Sequence, residues 1–335
     1  MTVCLVFSLV QLSFPVLAAS GTQYETEYND DFEYADIAID DYDNFGYINS
    51  SGDCDILKYT SSYSGYANFY LGSIPSGCNY ELGIYDSGIT TVLGEGFKTG
   101  NADELITIPV TANTTYYVII FSIGGYSSSD SYLFRAKTYP TANVSVPLYE
   151  QQTNYTCSCA CARMVMKKYG ITISEANYIN KANLYISQYY TDSNNDGYDD
   201  YSGAVVPDYT YIWIKVGTYN MFLSQNSIST RFKYTDIASY NSTQYGDIIA
   251  RNLSAGHPVE CAVAIYNSNI FPYETGGHYV VMRGTYYNTS QLVYTAIIND
   301  PYPGNPQTYN VPISEMLRHN KAHDNGTGYL IHVVD

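Results

Sequence analysis

Positive charge is scarce in this chain: 15 Lys+Arg stand against 32 Asp+Glu, a formal net charge of −17. Nucleic-acid binding needs a basic face, so that class of partner is argued against. Long apolar runs are scarce as well. The stretch Val3 to Leu17 is too short to span a bilayer. With Ala18, Ala19 and Ser20 behind it, it reads as the apolar region and small-residue cleavage site of a secretory signal, although the usual preceding positive residue is missing. No other segment approaches spanning length, so an exported protein with no membrane partner is expected. Paired cysteine clusters are lacking too. Cys157, Cys159 and Cys161 crowd together, and no second pair completes a zinc site, which leaves a reactive thiol or a set of buried ones. Cys54 and Cys78 either close a disulfide in an oxidising compartment or lie buried as thiols.

The length of 335 residues allows two domains, and 45% hydrophobic content gives each a core. Forty tyrosines suit sheet surfaces and also peptide- or carbohydrate-facing patches, and their number does not separate the two uses. From Glu25 to about Lys137, β-forming runs such as Ile56 to Tyr59, Ala67 to Leu71, Glu81 to Tyr85 and Thr115 to Phe121 alternate with Gly, Ser, Asn and Asp clusters. That spacing predicts an all-β sandwich. Pro140 and Pro147 bracket a linker. Beyond it, helices are expected at Cys157 to Tyr169, Ser174 to Leu184, Tyr211 to Gln225 and Thr243 to Ala255, with strands from Pro258 onward, an α+β pattern. The expected organisation is a signal peptide over 1–19, a β-sandwich over 20–138, a linker over 139–146 and an α+β domain over 147–335.

The stretch Gln151 to Gly170 carries the chemistry. Cys161, Met164, Val165 and Lys168 recur at helical spacing and Gly170 supplies a stop, so Cys157 falls at a helix N-terminus. The unpaired N–H groups there favour a thiolate, which is the nucleophilic form of cysteine. The arrangement Gln151-x5-Cys157-x2-Ala160-x3-Met164-x4-Tyr169-Gly170 resembles the papain-fold peptidases of the bacteriocin-processing type, which include the double-glycine leader peptidases. Relatives usually carry Gly-Pro after the nucleophile, where this chain has Ser158 and Cys159. Cys159 is therefore a rival nucleophile, and the spacing from Gln151 to Gly170 favours Cys157.

His278 follows Gly276-Gly277 and opens the run Tyr279 to Gly284, in the context where relatives place their histidine. A second strand, Leu292 to Asn299, returns antiparallel and brings Asn299 and Asp300 back beside it. A carboxylate or amide there can orient the imidazole. The resemblance implies the aspartate of the Asp300-Pro301 pair, with Asn299 as the alternative. It also implies that the Gln151 amide joins the Cys157 backbone N–H in an oxyanion hole, with Gln152 as the neighbouring choice.

The landmarks Glu27-x-Asn29-Asp30, Gly52-Asp53-x-Asp55, Glu81 to Asp86 and Thr115 to Val118 resemble the bacterial pre-peptidase C-terminal domain. In some relatives the acidic opening binds calcium, which here would fall to Glu27, Asn29 and Asp30 with Asp53 or Asp55; an unpaired acidic surface loop is the alternative reading. A second calcium loop is suggested by Asp192, Asn194, Asp196 and Asp200, although Gly203 stands where such a loop wants glutamate; a solvated Asn/Asp loop is the alternative reading. Catalysis requires no cofactor in this reading, and calcium would be structural. The expected partner is a peptide or protein substrate. The sequon Asn154-Tyr155-Thr156 would put a glycan in the cleft, which favours a bacterial secretory route. Two alternatives keep other functions open: an amidase or acyl transferase using the same thioester chemistry, and an inactive surface adhesin.

Overall fold

The computed structural model describes residues 19–189, 211–304, 306–323 and 326–334. Its first part is all strand: β1 (Gly21–Tyr24), β2 (Asp36–Ala38), β3 (Tyr42–Ile48), β4 (Cys54–Ser61), β5 (Gly65–Gly72), β6 (Asn79–Tyr85), β7 (Val92–Gly96), β8 (Glu104–Val110), β9 (Thr114–Gly124) and β10 (Ser127–Pro140). They form two five-stranded sheets, ordered β1-β3-β10-β5-β8 and β2-β4-β9-β6-β7. Alternate residues point inward, as period-2 patterning requires. Ala67, Phe69 and Leu71 from one sheet and Leu82, Val118 and Ile120 from the other belong to a single core. Cys54 and Cys78 are both free. Cys54 pairs with Phe121 of β9, and Cys78 precedes β6 on the far side of that strand, so they do not meet in a disulfide.

The second part holds β11 (Ala142–Asn143), α1 (Cys157–Lys168), α2 (Glu175–Tyr189), α3 (Ile212–Gln225), β12 (Phe232–Asp236), α4 (Ser242–Ser254), β13 (Val259–Ile265), β14 (Thr275–Asn288), β15 (Val293–Asp300), β16 (Gln307–Pro312), α5 (Ile313–His323) and β17 (Tyr329–Val333). One sheet runs β12-β17-β13-β14-β15-β16, with β11 paired to β14. Helices cover both faces, which is why every residue of β13 is buried. Glu260 meets Lys215 and Tyr219 of α3, while the next residue, Cys261, meets Tyr245 of α4 on the opposite face. Cys261 therefore turns away from the cysteines of α1.

Local sequence sets the ends of the helices. Gly170, at φ +78°, closes α1: its N–H reaches Lys167 O and the Ile171 N–H reaches Met166 O, the pairing a glycine C-terminus provides. In α4 the Asn241 side chain and Gln244 cap each other reciprocally. The helix α5 falls where strands were expected.

Residues 139–146 are not a loose tether. β10 continues to Pro140, β11 joins the second sheet, Val144 N–H donates to Arg283 O (2.6 Å), and Val144 and Val146 sit in the second core. An aromatic contact locks the two parts together. Tyr139 stacks on Tyr287 (4.6 Å), and Asn68 Nδ2 donates to the Tyr287 hydroxyl (2.8 Å). Many tyrosines thus serve cores and this seam; Tyr59, Tyr80, Tyr132, Tyr178, Tyr219 and Tyr245 are fully buried. Tyr287 and His278 lie toward opposite ends of β14, roughly 30 Å apart at the usual rise per residue, so the first part docks far from His278.

Candidate active site

Cys157 is the first residue of α1. The Thr156 hydroxyl before it accepts from Thr153 N–H (3.0 Å), and α1 has no side-chain cap. The N–H groups of its first turn therefore point outward without helical acceptors, a setting that favours an anion. Cys157 is partly exposed, whereas Cys159 and Cys161 are buried. Burial pushes the Cys159 thiol up to about 12, and Cys161 donates to Tyr279 O (3.2 Å). Geometry thus separates Cys157 from its rival.

Facing it is His278, only 4% exposed. Its Nε2 lies 2.7 Å from Asp300 Oδ1, which leaves Nδ1 as the ring nitrogen available to the Cys157 thiol. Burial pushes the imidazole pKa down, but the bonds to Asp300 and Cys157 outweigh it and raise the value to about 9. For the thiol, burial acts upward, and the His278 bond and charge, the Tyr279 N–H and the Lys215 charge together bring it below the ordinary cysteine value. The pair is thus biased toward thiolate and imidazolium.

The β14–β15 pairing sets this meeting. Val281 stands opposite Asn299, so the strand end carries Asp300 to the imidazole. Asp300 is fully buried and accepts two further bonds: Tyr302 N–H on Oδ1 (2.9 Å) and the Tyr273 hydroxyl on Oδ2 (2.5 Å). Tyr273 and Tyr302 stack at 3.7 Å and set their edges against the imidazole. The alternative Asn299 points elsewhere. Its Nδ2 donates to Val146 O and Pro147 O, and its Oδ1 accepts from Arg283 and Thr308.

Gln151 is buried in the loop before Cys157. Its backbone N–H donates to Pro301 O (3.0 Å), and its Nε2 donates to Thr153 O (2.7 Å), leaving one amide hydrogen uncommitted. Gln152 is exposed, and its backbone N–H is held by Glu175 (3.1 Å). The remaining histidines are engaged in structure: His257 bonds Tyr169, His319 bonds Ala264 O, His332 bonds Thr235, and His323 lies beside the Tyr279 ring. Tyr273 and Lys215 had no signal in the sequence, because one tyrosine among forty and one lysine in a helix carry no mark of their long-range partners.

Away from this site, the ligand atoms of Glu27, Asp30 and Asp53 lie within 4.8 Å of one another. Beside them the side-chain amide oxygen of buried Asn29 and one oxygen of buried Asp55 have no hydrogen-bond partner. Such hard oxygen donors fit calcium. The loop with Asp192, Asn194, Asp196 and Asp200 lies outside the described residues.

Comparison with known proteins bears on the second part. A family described as the Peptidase_C39 like family matches residues 144–320, just over half of the chain. This chain belongs to that family. The matched span contains Gln151, Cys157, His278 and Asp300. Similar solved structures include the peptidase domain of Streptococcus ComA, a bi-functional ABC transporter involved in a quorum sensing pathway. It is 16% identical, covers 57% of this chain and 98% of its own, and has a TM-score of 0.32. A double glycine motif protease from an AMS/PCAT transporter, solved with its leader peptide, is also 16% identical over 57% of this chain and 93% of its own, with a TM-score of 0.30. The pre-peptidase C-terminal domain of collagenase from Bacillus anthracis is 12% identical over 31% of this chain and 94% of its own, with a TM-score of 0.26. No curated protein gives a significant match.

Proposed function

We propose that this Peptidase_C39 like chain is an exported, bacterial cysteine peptidase of papain-like fold, with an N-terminal β-sandwich of the pre-peptidase C-terminal type as accessory domain. The observation that carries the reading is the 2.7 Å bond from His278 to Asp300, with the Cys157 thiol at the opening of α1 interacting with the same imidazole. In this mechanism the Cys157 thiolate adds to a peptide carbonyl carbon, and the electron pair moves onto the carbonyl oxygen. The Cys157 backbone N–H and the free Gln151 amide hydrogen receive that oxyanion. The imidazolium of His278 gives its Nδ1 proton to the leaving amine as the C–N bond breaks, and a thioester remains. Neutral His278 then takes a proton from water, which attacks the thioester and releases the acid. Asp300 holds Nε2–H throughout and so fixes the tautomer and the ring plane. An amine in place of water would give acyl transfer or amide exchange through the same thioester, and product analysis separates the two outcomes.

Calcium is proposed for the Glu27, Asp30 and Asp53 cluster, with Asn29 and Asp55 adjoining it, as a structural ion remote from the chemistry. The test of the enzymatic reading is incubation with a peptide mixture followed by mass spectrometry, for the wild type and Cys157→Ala. New termini that depend on Cys157 are the expected result. Intact peptides with both proteins would instead favour a binding module.

A further inference from the structure

The helix α3 carries a lysine in a place where charge is costly. Lys215 is fully buried; its Nζ donates to the Ser158 carbonyl (2.5 Å) and the Ser158 hydroxyl (2.9 Å) and forms an ion pair with Glu260 Oε1 (2.6 Å). The rings of Tyr178, Tyr219 and Tyr279 surround it, the nearest with its centroid at 4.5 Å. The second oxygen of Glu260 accepts the Tyr219 hydroxyl (2.5 Å). Ion pairs this deeply buried contribute little net stability, since desolvating each charge costs several kcal/mol and well-packed apolar residues of similar volume usually do as well. Stability alone therefore gives no reason for a lysine here.

Its placement does. Both hydrogen bonds end on Ser158, the residue directly after Cys157, whereas the ion-pair partner Glu260 lies behind on the sheet strand β13. The pair is a fixed dipole with its positive end against the first turn of α1, where it adds to the dipole of the helix itself. In a dry interior such a field is weakly screened. Consistent with this, the Lys215 charge acts on the Cys157 thiol in the direction of the thiolate. The arrangement also gives a role to Ser158, one of the residues at which this chain departs from its relatives.

We propose that Lys215 is a positioning residue for the nucleophile: bonded to Ser158 and counterbalanced by Glu260, it fixes the first turn of α1 and sets a buried positive charge behind the sulfur. The inference rests on Cys157 being the nucleophile of the proposed peptidase. Its test is the rate of Cys157 alkylation by iodoacetamide as a function of pH, read by peptide mapping on the full chain. Thermal unfolding of each protein is followed alongside. The variants are Lys215→Met/Glu260→Gln, which removes both charges without stranding either, and Ser158→Ala, which cuts one of the bonds to the ammonium in a helix that alanine favours.

The midpoint of the alkylation profile is expected to rise by about one pH unit in the double variant, the low end of what a nearby opposite charge supplies. That is roughly tenfold less reactive thiol on the acid limb. In Ser158→Ala, which keeps the inference testable if the double variant does not fold, the midpoint rises by about 0.3 units, since both charges remain. A lowered melting temperature with an unmoved midpoint in the variants that fold would show a merely structural lysine and overturn the inference. Slow alkylation of Cys157 in the wild type would instead overturn the reading of Cys157 as nucleophile.

Discussion

Replacing Asp300 by asparagine removes a charge at the point where the site is driest. Asp300 is fully buried and accepts three bonds: from His278 Nε2 at 2.7 Å, from Tyr302 N–H at 2.9 Å and from the Tyr273 hydroxyl at 2.5 Å. Asparagine keeps the shape and one acceptor oxygen, so the Tyr302 contact survives. What is lost is the charge opposite the imidazolium, and a bond to a charged group contributes about 1.5–3 kcal/mol. At 1.36 kcal/mol per factor of ten, this amounts to about 10- to 150-fold in kcat/KM and in the alkylation rate of Cys157 near pH 7. The imidazole pKa, raised to about 9 partly by this partner, must also fall. The assay is the pH–rate profile of peptide cleavage, or of alkylation where no substrate is yet in hand. A variant with wild-type rate and an unmoved alkaline limb would refute the assignment of Asp300 as the orienting group.

Three further outcomes are expected. The reactive thiolate–imidazolium pair exists only between the lowered Cys157 value and about 9, so cleavage should rise with pH on the acid side, hold through neutrality and fall through about pH 9; a profile still rising at pH 10 would exclude the ion pair. Tyr273→Phe keeps the ring on Tyr302 but strands Asp300 Oδ2 without its donor, so stability should drop by about 1–3 kcal/mol in chemical denaturation. In that variant the alkaline limb should move up, because a carboxylate with one donor fewer holds the imidazolium more tightly. In the first part, burial raises Glu25 from 4.5 to about 7, and burial with the Glu25 charge raises Asp55 from 3.8 to about 9. These carboxyls bind more protons folded than unfolded, so their contribution is full below pH 4 and is lost as pH rises toward 9. A calcium ion at the adjoining Glu27, Asp30 and Asp53 should offset that loss, giving a larger rise in melting temperature on adding calcium at pH 8 than at pH 5; equal shifts, or none, would count against the ion.

The arrangement of the candidate site was legible in the sequence where its determinants are local. A cysteine opening an apolar helix, and a glycine thirteen residues on with the positive φ that closes it, are short-range signals. The histidine and aspartate were legible because a hairpin's register follows from its turn, and the pairing of Val281 with Asn299 is what carries Asp300 to His278. Other features answer to distant partners. Two of the five buried residues of α5 are polar: His319 and Asn320 are bonded to the Ala264 and Ala262 carbonyls of β13, so an apolar periodicity was too thin to announce a helix. Lys215 reads as an ordinary helical charge until Ser158 and Glu260 are seen around it. The stretch 139–146 looked like a linker because its prolines and small residues hide the fact that Val144 and Val146 are core.

Activation of Cys157 is measured most directly by brief iodoacetamide labelling of the folded protein at about pH 6–7, below the titration range of ordinary thiols, with mapping of the modified peptides. Fast modification confined to Cys157 is expected, slowed sharply in His278→Ala, with Cys159, Cys161 and Cys261 silent in their buried positions. Modification of Cys159 at the same rate, or a Cys157 no faster than a free thiol, would contradict it.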